Sequence, residues 1–296
     1  MKKGDKGQEV KTLQMKLNKI LDISLVIDGD FGPKTEKAVN LFQACTTRIT
    51  TGIVSDFLLH EIDSKYTELI GENNLMSFGK RRKVIFVGAG HGGWDGKKYV
   101  TPGKRAYHQG EQMHDEKGNY YEGYENRLMA EEFIEQCTAA GIATIRVYHP
   151  WQDTSLSERT ELVRSYLNRG YYGGFIDFHT NAINETNSKE DLEDTQGFII
   201  FSTRANNSSD DFAKLAFKKV AKNLPDLEMR TDKKNKSVCF SANFQVLRET
   251  DLDKFPDFWA VLVERNFHTS AAGCKQIIVS RNEMARSFIE AIQDFK

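Results

Sequence analysis

From Lys83 onward, short apolar runs alternate with longer amphipathic segments, and this alternation constrains the fold more than any other feature. Each apolar run is long enough for one buried strand, and residues 125–140 have the apolar spacing of a helix that ends at Gly141. Alternating strands and helices predict an α/β domain whose helices cover a largely parallel sheet. The predicted strands are KVIFVGAG, IATIRVYH, FIDFHTNA, GFIIFST, FQVLRE and WAVLVERNF, and Ser157 and Ser209 are expected to cap two of the helices.

The first sixty or so residues follow a different pattern. An apolar stripe at helical spacing begins at Val10, Pro33 suits the first position of a second helix, and Ser55 suits the cap of a third. These features predict a small three-helix domain. The expected organisation is a helical module at 1–63, a linker at 64–82 and the α/β domain at 83–296.

Composition excludes several classes of protein. The formal net charge is −1 with acidic and basic residues interleaved, which argues against a nucleic-acid-binding protein. No apolar run is long enough to cross a bilayer, and the start MKKGDKGQEV lacks the apolar region of a secretory signal, so no membrane insertion and no signal peptide are expected. The four cysteines are scattered without a CxxC pair, which indicates thiols made in a reducing compartment.

Ionisable residues follow three of the apolar runs. His91, His179 and Glu264 each stand where a predicted strand ends, and functional residues of α/β sheets gather beyond the carboxyl ends of strands. Two histidines, one carboxylate and an open position form the ligand set of a catalytic zinc site. Glu122 is a candidate third ligand, which leaves Glu264 as a general base. Three further acids of the same segment compete with Glu122 for this role: Glu111, Glu116 and Glu125.

The same residues lie in motifs that resemble a known family. GAGHGGWD contains His91, Glu122 stands four residues before Asn126, DFHTNA contains His179, and VLVERNFHTS contains Glu264. In this order the motifs resemble the zinc-dependent N-acetylmuramoyl-L-alanine amidases of the type 3 family. The resemblance implies a mixed sheet related to zinc carboxypeptidases, with Zn²⁺ bound by the two histidines and Glu122 and with Glu264 as the catalytic glutamate.

Two departures from that family pattern stand out. The segment 94–121 is longer than the usual loop and contains His108 and His114, each of which is a candidate for a substrate lid or for a replacement ligand. Asp177 replaces the usual serine two residues before the second ligand histidine. Metal-bound histidines usually need a carboxylate partner, and Asp177 and Asp95 are candidates to orient a ligating imidazole in this way.

The N-terminal domain resembles the three-helix peptidoglycan-binding module of wall hydrolases. The matching stretches are KGDKGQEVKTLQMKLN and DGDFGPKTEKAVNLFQ. Asp28, Asp30 and Phe31 form the loop that is the first candidate for contact with glycan, although the same residues also suit a tight turn.

Together these features predict a two-part peptidoglycan hydrolase that cleaves the amide between N-acetylmuramic acid and L-alanine. One alternative is a zinc peptidase that cuts stem peptides, with Arg248 or Arg265 binding a terminal carboxylate. Another is a non-catalytic wall-binding component of a phage tail or injection particle. The lack of a signal peptide favours a phage or prophage endolysin that reaches the bacterial wall through a holin or on a particle.

Overall fold

The computed structural model describes residues 1–46, 50–55, 58–63, 65–66, 82–95, 97–184, 188–203, 207–250 and 255–295. The chain divides into two compact units, of which one is Met1–Arg82 with Glu161–Tyr171 and the other is Lys83–Thr160 with Tyr172–Lys296. Most of the predicted linker, 64–82, lies outside the described residues.

The N-terminal residues form helix α1 (Gln8–Leu21) and helix α2 (Pro33–Thr46), and residues 58–63 are also helical. Pro33 is the first residue of α2, as predicted. Each labelled helix contributes one buried glutamine that holds a following turn. Gln14 Oε1 accepts a hydrogen bond from the Gly29 amide at 2.9 Å, and Gln43 Oε1 accepts one from the Gly52 amide at 3.0 Å. The side chains thereby satisfy backbone groups that these turns leave unpaired.

The remaining strands and helices alternate along the chain. The strands are β1 (Arg82–Ala89), β2 (Arg105–Tyr107), β3 (Asn119–Tyr121), β4 (Thr144–Arg146), β5 (Tyr171–Asn181), β6 (Ile199–Ser202), β7 (Phe240–Ser241) and β8 (Phe258–Phe267). The helices are α3 (Glu122–Ala139), α4 (Leu156–Leu167), α5 (Lys189–Asp194), α6 (Ser208–Asn223), α7 (Gln245–Arg248), α8 (Ala271–Val279) and α9 (Arg281–Asp294).

The main sheet has the strand order β4-β1-β5-β8-β6-β7. β1 pairs with β4, β5 with β8 and β6 with β7 in parallel, whereas β6 runs antiparallel to β8. The sheet is therefore mixed and largely parallel, as predicted. The apolar residues of the inner strands are buried, as in Ile85, Phe86 and Val87 of β1, which is typical of a sheet covered on both faces. None of the helices in the described part of the chain is long and apolar enough to span a membrane.

Three local predictions were wrong. FQVLRE is not a strand but contains the short helix α7, because neighbouring Val246 and Leu247 are both buried, which overrides the strand preference of valine. The residue that caps α4 is Ser155, whose hydroxyl accepts from the Glu158 amide at 3.4 Å, rather than Ser157. The cap of α6 is Asn207 rather than Ser209, and its side chain accepts a hydrogen bond from the Asp210 amide.

Candidate metal centre

His91 follows the end of β1 in a left-handed backbone conformation, with φ of 61°. Few residues other than glycine adopt this conformation, and those that do are often found at functional sites. Its imidazole is about one-fifth exposed, and its Nε2 atom lies 3.4 Å from Glu122 Oε1. The strained backbone therefore places this side chain at the edge of the sheet beside a buried carboxylate.

Glu122 is the first residue of α3 and is almost completely buried. Its backbone amide donates to the Lys104 carbonyl at 3.0 Å. Its Oε1 atom accepts long hydrogen bonds from Asn126 Nδ2 and from the Thr180 amide, both at 3.4 Å. A carboxylate at the start of a helix is also stabilised by the helix dipole. The backbone and the side chain of Glu122 are therefore both fixed by hydrogen bonds.

His179 and Glu264 are register partners on the parallel strands β5 and β8. Register partners on adjacent strands project from the same face of a sheet, which places the imidazole beside the carboxyl group. The register shifts between His179 and Asn181, and such bulges occur often next to active sites because they redirect side chains.

Gly88 of β1 and Gly90 just beyond its end make room for side chains of β5. A Cβ atom on Gly90 would lie 2.0 Å from His179 Cε1, and one on Gly88 would lie 2.3 Å from Asp177 Oδ1. Real Cβ contacts are never this short, so both positions require glycine. The glycine spacing of VGAGH thus corresponds to the spacing of Asp177 and His179 on the neighbouring strand.

His91, Glu122 and His179 offer three ligand atoms that all lie within 4.8 Å of one another. Glu122 Oε1 is 3.4 Å from His91 Nε2 and 3.4 Å from His179 Nδ1. Tetrahedral Zn²⁺ with ligands at about 2.0–2.1 Å separates its ligand atoms by about 3.3–3.4 Å. Two of the three ligand separations therefore match a four-coordinate metal ion, and the donor set leaves one position for substrate or water.

Asp177 and Arg159 lie behind His179, the second candidate ligand histidine. Asp177 Oδ2 is 3.4 Å from His179 Nε2, on the side of the ring opposite the Nδ1 atom that faces Glu122. Arg159, which is also buried, places Nη1 3.3 Å from Asp177 Oδ1. Although burial opposes ionisation, this guanidinium holds the pKa of Asp177 below its ordinary value. Carboxylates of this kind fix the orientation and tautomer of a metal-bound histidine.

Glu264 has an environment unlike that of Glu122. Its Oε2 atom is buried and has no hydrogen-bond partner among the described residues. Burial, supported by the negative charges of Glu122 and Asp177, raises the pKa of Glu264 to about 8. Burial alone would also raise the pKa of Glu122, but the hydrogen bond from His179 and the charge of His91 lower it to about 2. Two neighbouring carboxyl groups therefore have different proton affinities, a pattern typical of acid–base sites.

The two candidate ligand histidines, His91 and His179, also differ in pKa. Burial, opposed by the charge of Glu122, lowers the pKa of His91 to about 4. Burial likewise lowers the proton affinity of His179, but the carboxylates of Asp177 and Glu122 outweigh it and raise its pKa to about 10. Negative charge therefore concentrates around His179, where a cation is stabilised.

The two other histidines of the 94–121 segment lie in separate networks. His108 Nε2 contacts the His268 carbonyl at 3.0 Å, and His114 Nε2 contacts Glu125 Oε2 at 3.0 Å. Glu125 is fully buried and pairs with Arg265 at 3.3 Å. Neither histidine belongs to the cluster of ligand atoms, and Glu125, a competitor of Glu122, serves an internal ion pair instead.

The remaining candidate residues make contacts of their own that shape turns. Asp95 accepts hydrogen bonds from the exposed Lys97 and Lys98 amides, so it shapes a turn and does not contact a ligand histidine. In the helical module Phe31 is fully buried, Asp28 accepts from the Asp30 amide, and Asp30 pairs with Lys6 at 2.8 Å. These contacts support a turn-shaping role for the 28–31 loop.

Sequence reasoning missed the part played by Arg159. The residue stands in the SLSERT stretch, eighteen positions before Asp177, and the pattern contains no signal of its partner. Asn126 served only as a motif position, yet its amide donates to Gly90 O at 3.3 Å and to Glu122. It thereby links the ends of β1 and α3.

Two histidines and a carboxylate at the edge of a mixed α/β sheet are typical of metal-dependent hydrolases. Residues 85–294 match the profile of the N-acetylmuramoyl-L-alanine amidase family, and residues 6–59 match that of a peptidoglycan binding domain. Because the first match spans more than half of the chain, the protein belongs to the N-acetylmuramoyl-L-alanine amidase family. Comparison with curated protein sequences finds no significant match.

Solved structures of amidases share the fold. An N-acetylmuramoyl-L-alanine amidase from Clostridium difficile 630 is 18% identical with a TM-score of 0.54, over 73% of this chain and 97% of that one. AmiC2 of Nostoc punctiforme is 16% identical with a TM-score of 0.53, over 73% of this chain and 98% of its own. The catalytic domain of CwlV from Bacillus (Paenibacillus) polymyxa var. colistinus is 21% identical with a TM-score of 0.50, over 72% and 99%. These similarities confirm the predicted architecture.

Proposed function

We propose that this amidase cleaves the bond between N-acetylmuramic acid and L-alanine with Zn²⁺ held by His91, Glu122 and His179 and with Glu264 as the general base. The observation that carries the proposal is the position of Glu122 Oε1, 3.4 Å from a nitrogen of each histidine, which matches the separation of two ligand atoms on a tetrahedral ion. Peptidoglycan is the substrate, and the N-terminal module binds the wall.

The residues of the chain have separable roles in this reaction. Bound Zn²⁺ supplies a Lewis acid that polarises the scissile carbonyl and acidifies the attacking water. Glu264, on the strand next to His179 and with Oε2 unpaired, takes the proton of that water and donates it to the amine of the departing L-alanine. Asp177 keeps the His179 ring in the orientation that presents Nδ1.

The protonation state of Glu264 follows from charge. Its pKa of about 8 arises from burial and from the nearby negative charges of Glu122 and Asp177. A divalent cation at the ligand cluster lowers the pKa of a neighbouring carboxyl group. Glu264 therefore becomes a carboxylate, the form that a general base requires, when the cluster holds its ion.

The arginines favour the amidase over a carboxypeptidase. Arg265 is buried and pairs with Glu125 at 3.3 Å, so it is not available to a substrate carboxylate. Arg248 Nη1 donates to the Asn243 carbonyl at 3.2 Å on the surface. A non-catalytic role is disfavoured because the three ligand candidates and the base are all present.

The test is mass spectrometry of the soluble products from purified sacculi. Free stem peptides that start at L-alanine should appear with the purified enzyme, disappear with a zinc chelator and return with Zn²⁺ but not with Mg²⁺. Glu264→Gln should bind Zn²⁺ and release no peptides, since the amide cannot accept the proton. Shortened stems still attached to muramic acid would instead identify a peptidase, and activity that resists chelation would exclude the metal.

We also propose that the enzyme acts as a phage or prophage endolysin at the bacterial wall. A hydrolase that carries its own wall-binding module suits rapid wall degradation. The genomic neighbourhood tests this role, because a holin gene next to this one supports it. A location among housekeeping genes with an export leader upstream would contradict it.

A further inference from the structure

The hairpin of β2 and β3 has one face in the core and one face outside. Side chains alternate across a strand, so Ala106 and Tyr120, which are register partners, share one face, and Tyr107 and Tyr121 share the other. Tyr120 is fully buried, whereas Tyr107 is 62% exposed. The inner face packs near Met113, Cys274 and Ile277. The outer face therefore exposes the ring of Tyr107 to solvent, and Tyr121 on the same face is half-buried.

Trp94 extends this outer face. Its ring centroid lies 5.4 Å from that of Tyr121, and Tyr121 in turn lies 4.9 Å from the buried Tyr99. The Trp94 side chain is nonetheless 42% exposed. We call the surface formed by Trp94, Tyr107 and Tyr121 the aromatic face.

The aromatic face is joined to the metal centre through the backbone. Trp94 follows His91 by three residues, and Tyr121 directly precedes Glu122. The Glu122 amide also donates to the carbonyl of Lys104, the residue before β2. Two of the three candidate ligands are therefore linked by short backbone segments to residues of the aromatic face.

Exposed aromatic rings are scarce elsewhere among the described residues after 82. Of the three aromatic side chains that are at least two-fifths exposed in this described part, two belong to the aromatic face. Among the described residues after 82, the exposed large apolar side chains are Trp94, Tyr107, Leu156, Phe244 and Val279. A cluster of exposed rings beside a catalytic site indicates a binding surface.

We propose that the aromatic face binds the pyranose ring of N-acetylmuramic acid, with Trp94 stacked on the sugar. This inference rests on the amidase reaction and on the proposed metal centre as the place where the scissile amide lies. The carbonyl of that amide belongs to the lactyl group of the sugar, so the ring must lie beside the metal centre during the reaction. The C–H groups of a pyranose form an apolar face that packs well on the rings of tryptophan and tyrosine.

Two soluble substrates with the same scissile amide test the proposal in the full-length zinc enzyme. One is an N-acetylmuramoyl-L-alanyl stem peptide, and the other is a lactoyl-L-alanyl peptide with the same stem but no sugar. Trp94→Ala should lower kcat/KM on the muramoyl substrate about tenfold and leave the lactoyl substrate unchanged. Trp94→Phe should restore most of the loss, and Phe244→Ala, which removes an equally exposed ring elsewhere, should affect neither substrate.

An equal loss on both substrates would overturn the proposal and indicate that Trp94 contacts the stem peptide or supports the fold. No loss on either substrate would also overturn it.

Tryptophan fluorescence separates this inference from the catalytic mechanism. The chain contains Trp94, Trp151 and Trp259 and no tryptophan in residues 1–63, so the wall-binding module adds no signal. Titration with N-acetylmuramic acid should change the fluorescence of the wild type but not that of Trp94→Phe. If the wild type binds the sugar but cleaves neither substrate, the proposed function fails and the aromatic face stands. If the enzyme cleaves the substrates but shows no fluorescence change that depends on Trp94, the proposed function stands and the proposal for the aromatic face fails.

Discussion

Asp177 reaches the proposed metal ion only through His179, which makes it a positioning residue. Asp177→Asn should weaken Zn²⁺ binding about 10–100-fold, because the amide neither fixes the tautomer of the ring nor balances the buried Arg159. Competition with a chromophoric chelator measures the affinity directly. Asp95→Asn is the matched control, since Asp95 is exposed and contacts only turn amides. Unchanged Zn²⁺ affinity in Asp177→Asn would remove this role.

The environment of His149, which is not one of the candidate ligands, predicts that the stability of the protein depends on pH. Burial and the charge of Arg127 lower its pKa to about 4, and its Nδ1 atom accepts from the Trp151 and Gln152 amides. As the pH falls below 6.5 the unfolded chain takes up the proton first. The stability that neutral His149 provides is therefore complete above pH 6.5 and is lost as the pH falls toward 4.

His149→Asn tests this reasoning, since Asn Oδ1 accepts the same hydrogen bonds and does not titrate. The melting temperature of the wild type should fall more steeply between pH 6.5 and 4 than that of the variant. Parallel curves for the two proteins would show that His149 does not contribute. Measuring the difference between the proteins cancels the titration of the other histidines.

At the scale of elements, the end of strand β1 and the residue after it, Gly90, pack closely against strand β5. Gly90→Ala should reduce kcat about a hundredfold, because its Cβ would lie 2.0 Å from the His179 ring and must displace a ligand. Gly103→Ala is the control, since nothing lies within 4 Å of its Cβ position. Hydrolysis of a soluble muramoyl peptide measures both variants. Equal activity of Gly90→Ala and Gly103→Ala would mean that a shift of the His179 ring does not affect catalysis.

Elements buried on both faces were predictable from the sequence, whereas short or half-exposed elements were not. β1, β5 and β8 are largely apolar runs, so their existence as buried strands follows from pattern alone, whereas their order in the sheet does not. β2 and β3 have three residues each and mix charged with aromatic side chains, which leaves no periodic signal. FQVLRE has strand-forming residues but folds as a helix, because its burial depends on contacts distant in sequence.

The same distinction applies to the candidate site. His91 and His179 end predicted strands, so their proximity follows from the topology of a parallel sheet. Spacing alone did not distinguish Glu122 from Glu125, because both lie in the first turn of α3. They differ in their partners in the folded protein, since Glu122 lies beside His91 and Glu125 pairs with Arg265. The Arg159–Asp177 pair joins a helix to a strand, and no local pattern encodes such a pair.

At the scale of the whole molecule, wall binding and hydrolysis should be separable. A helical module of about sixty residues has little stability to spare, and Leu17→Ala in its core removes about 2–5 kcal/mol. We expect this variant to lose binding to sacculi in a sedimentation assay while it still cleaves a soluble muramoyl peptide. Met15→Ala on the same helix, where the side chain is 41% exposed, should keep both activities. Sedimentation of Leu17→Ala with sacculi would contradict the assignment of the module.

The pairing of His179 with Glu264 also bears on how the enzyme is made. The two residues are adjacent on β5 and β8 but far apart in the chain, so no local segment contains the reacting groups. Contacts of such long sequence separation form late, because a large loop must close first. A ribosome synthesises the chain from the N-terminus, and β8 ends at Phe267. The growing chain therefore contains the helical module long before β8 is made, and the proposed pairing of His179 with Glu264 arises only after both strands have been synthesised.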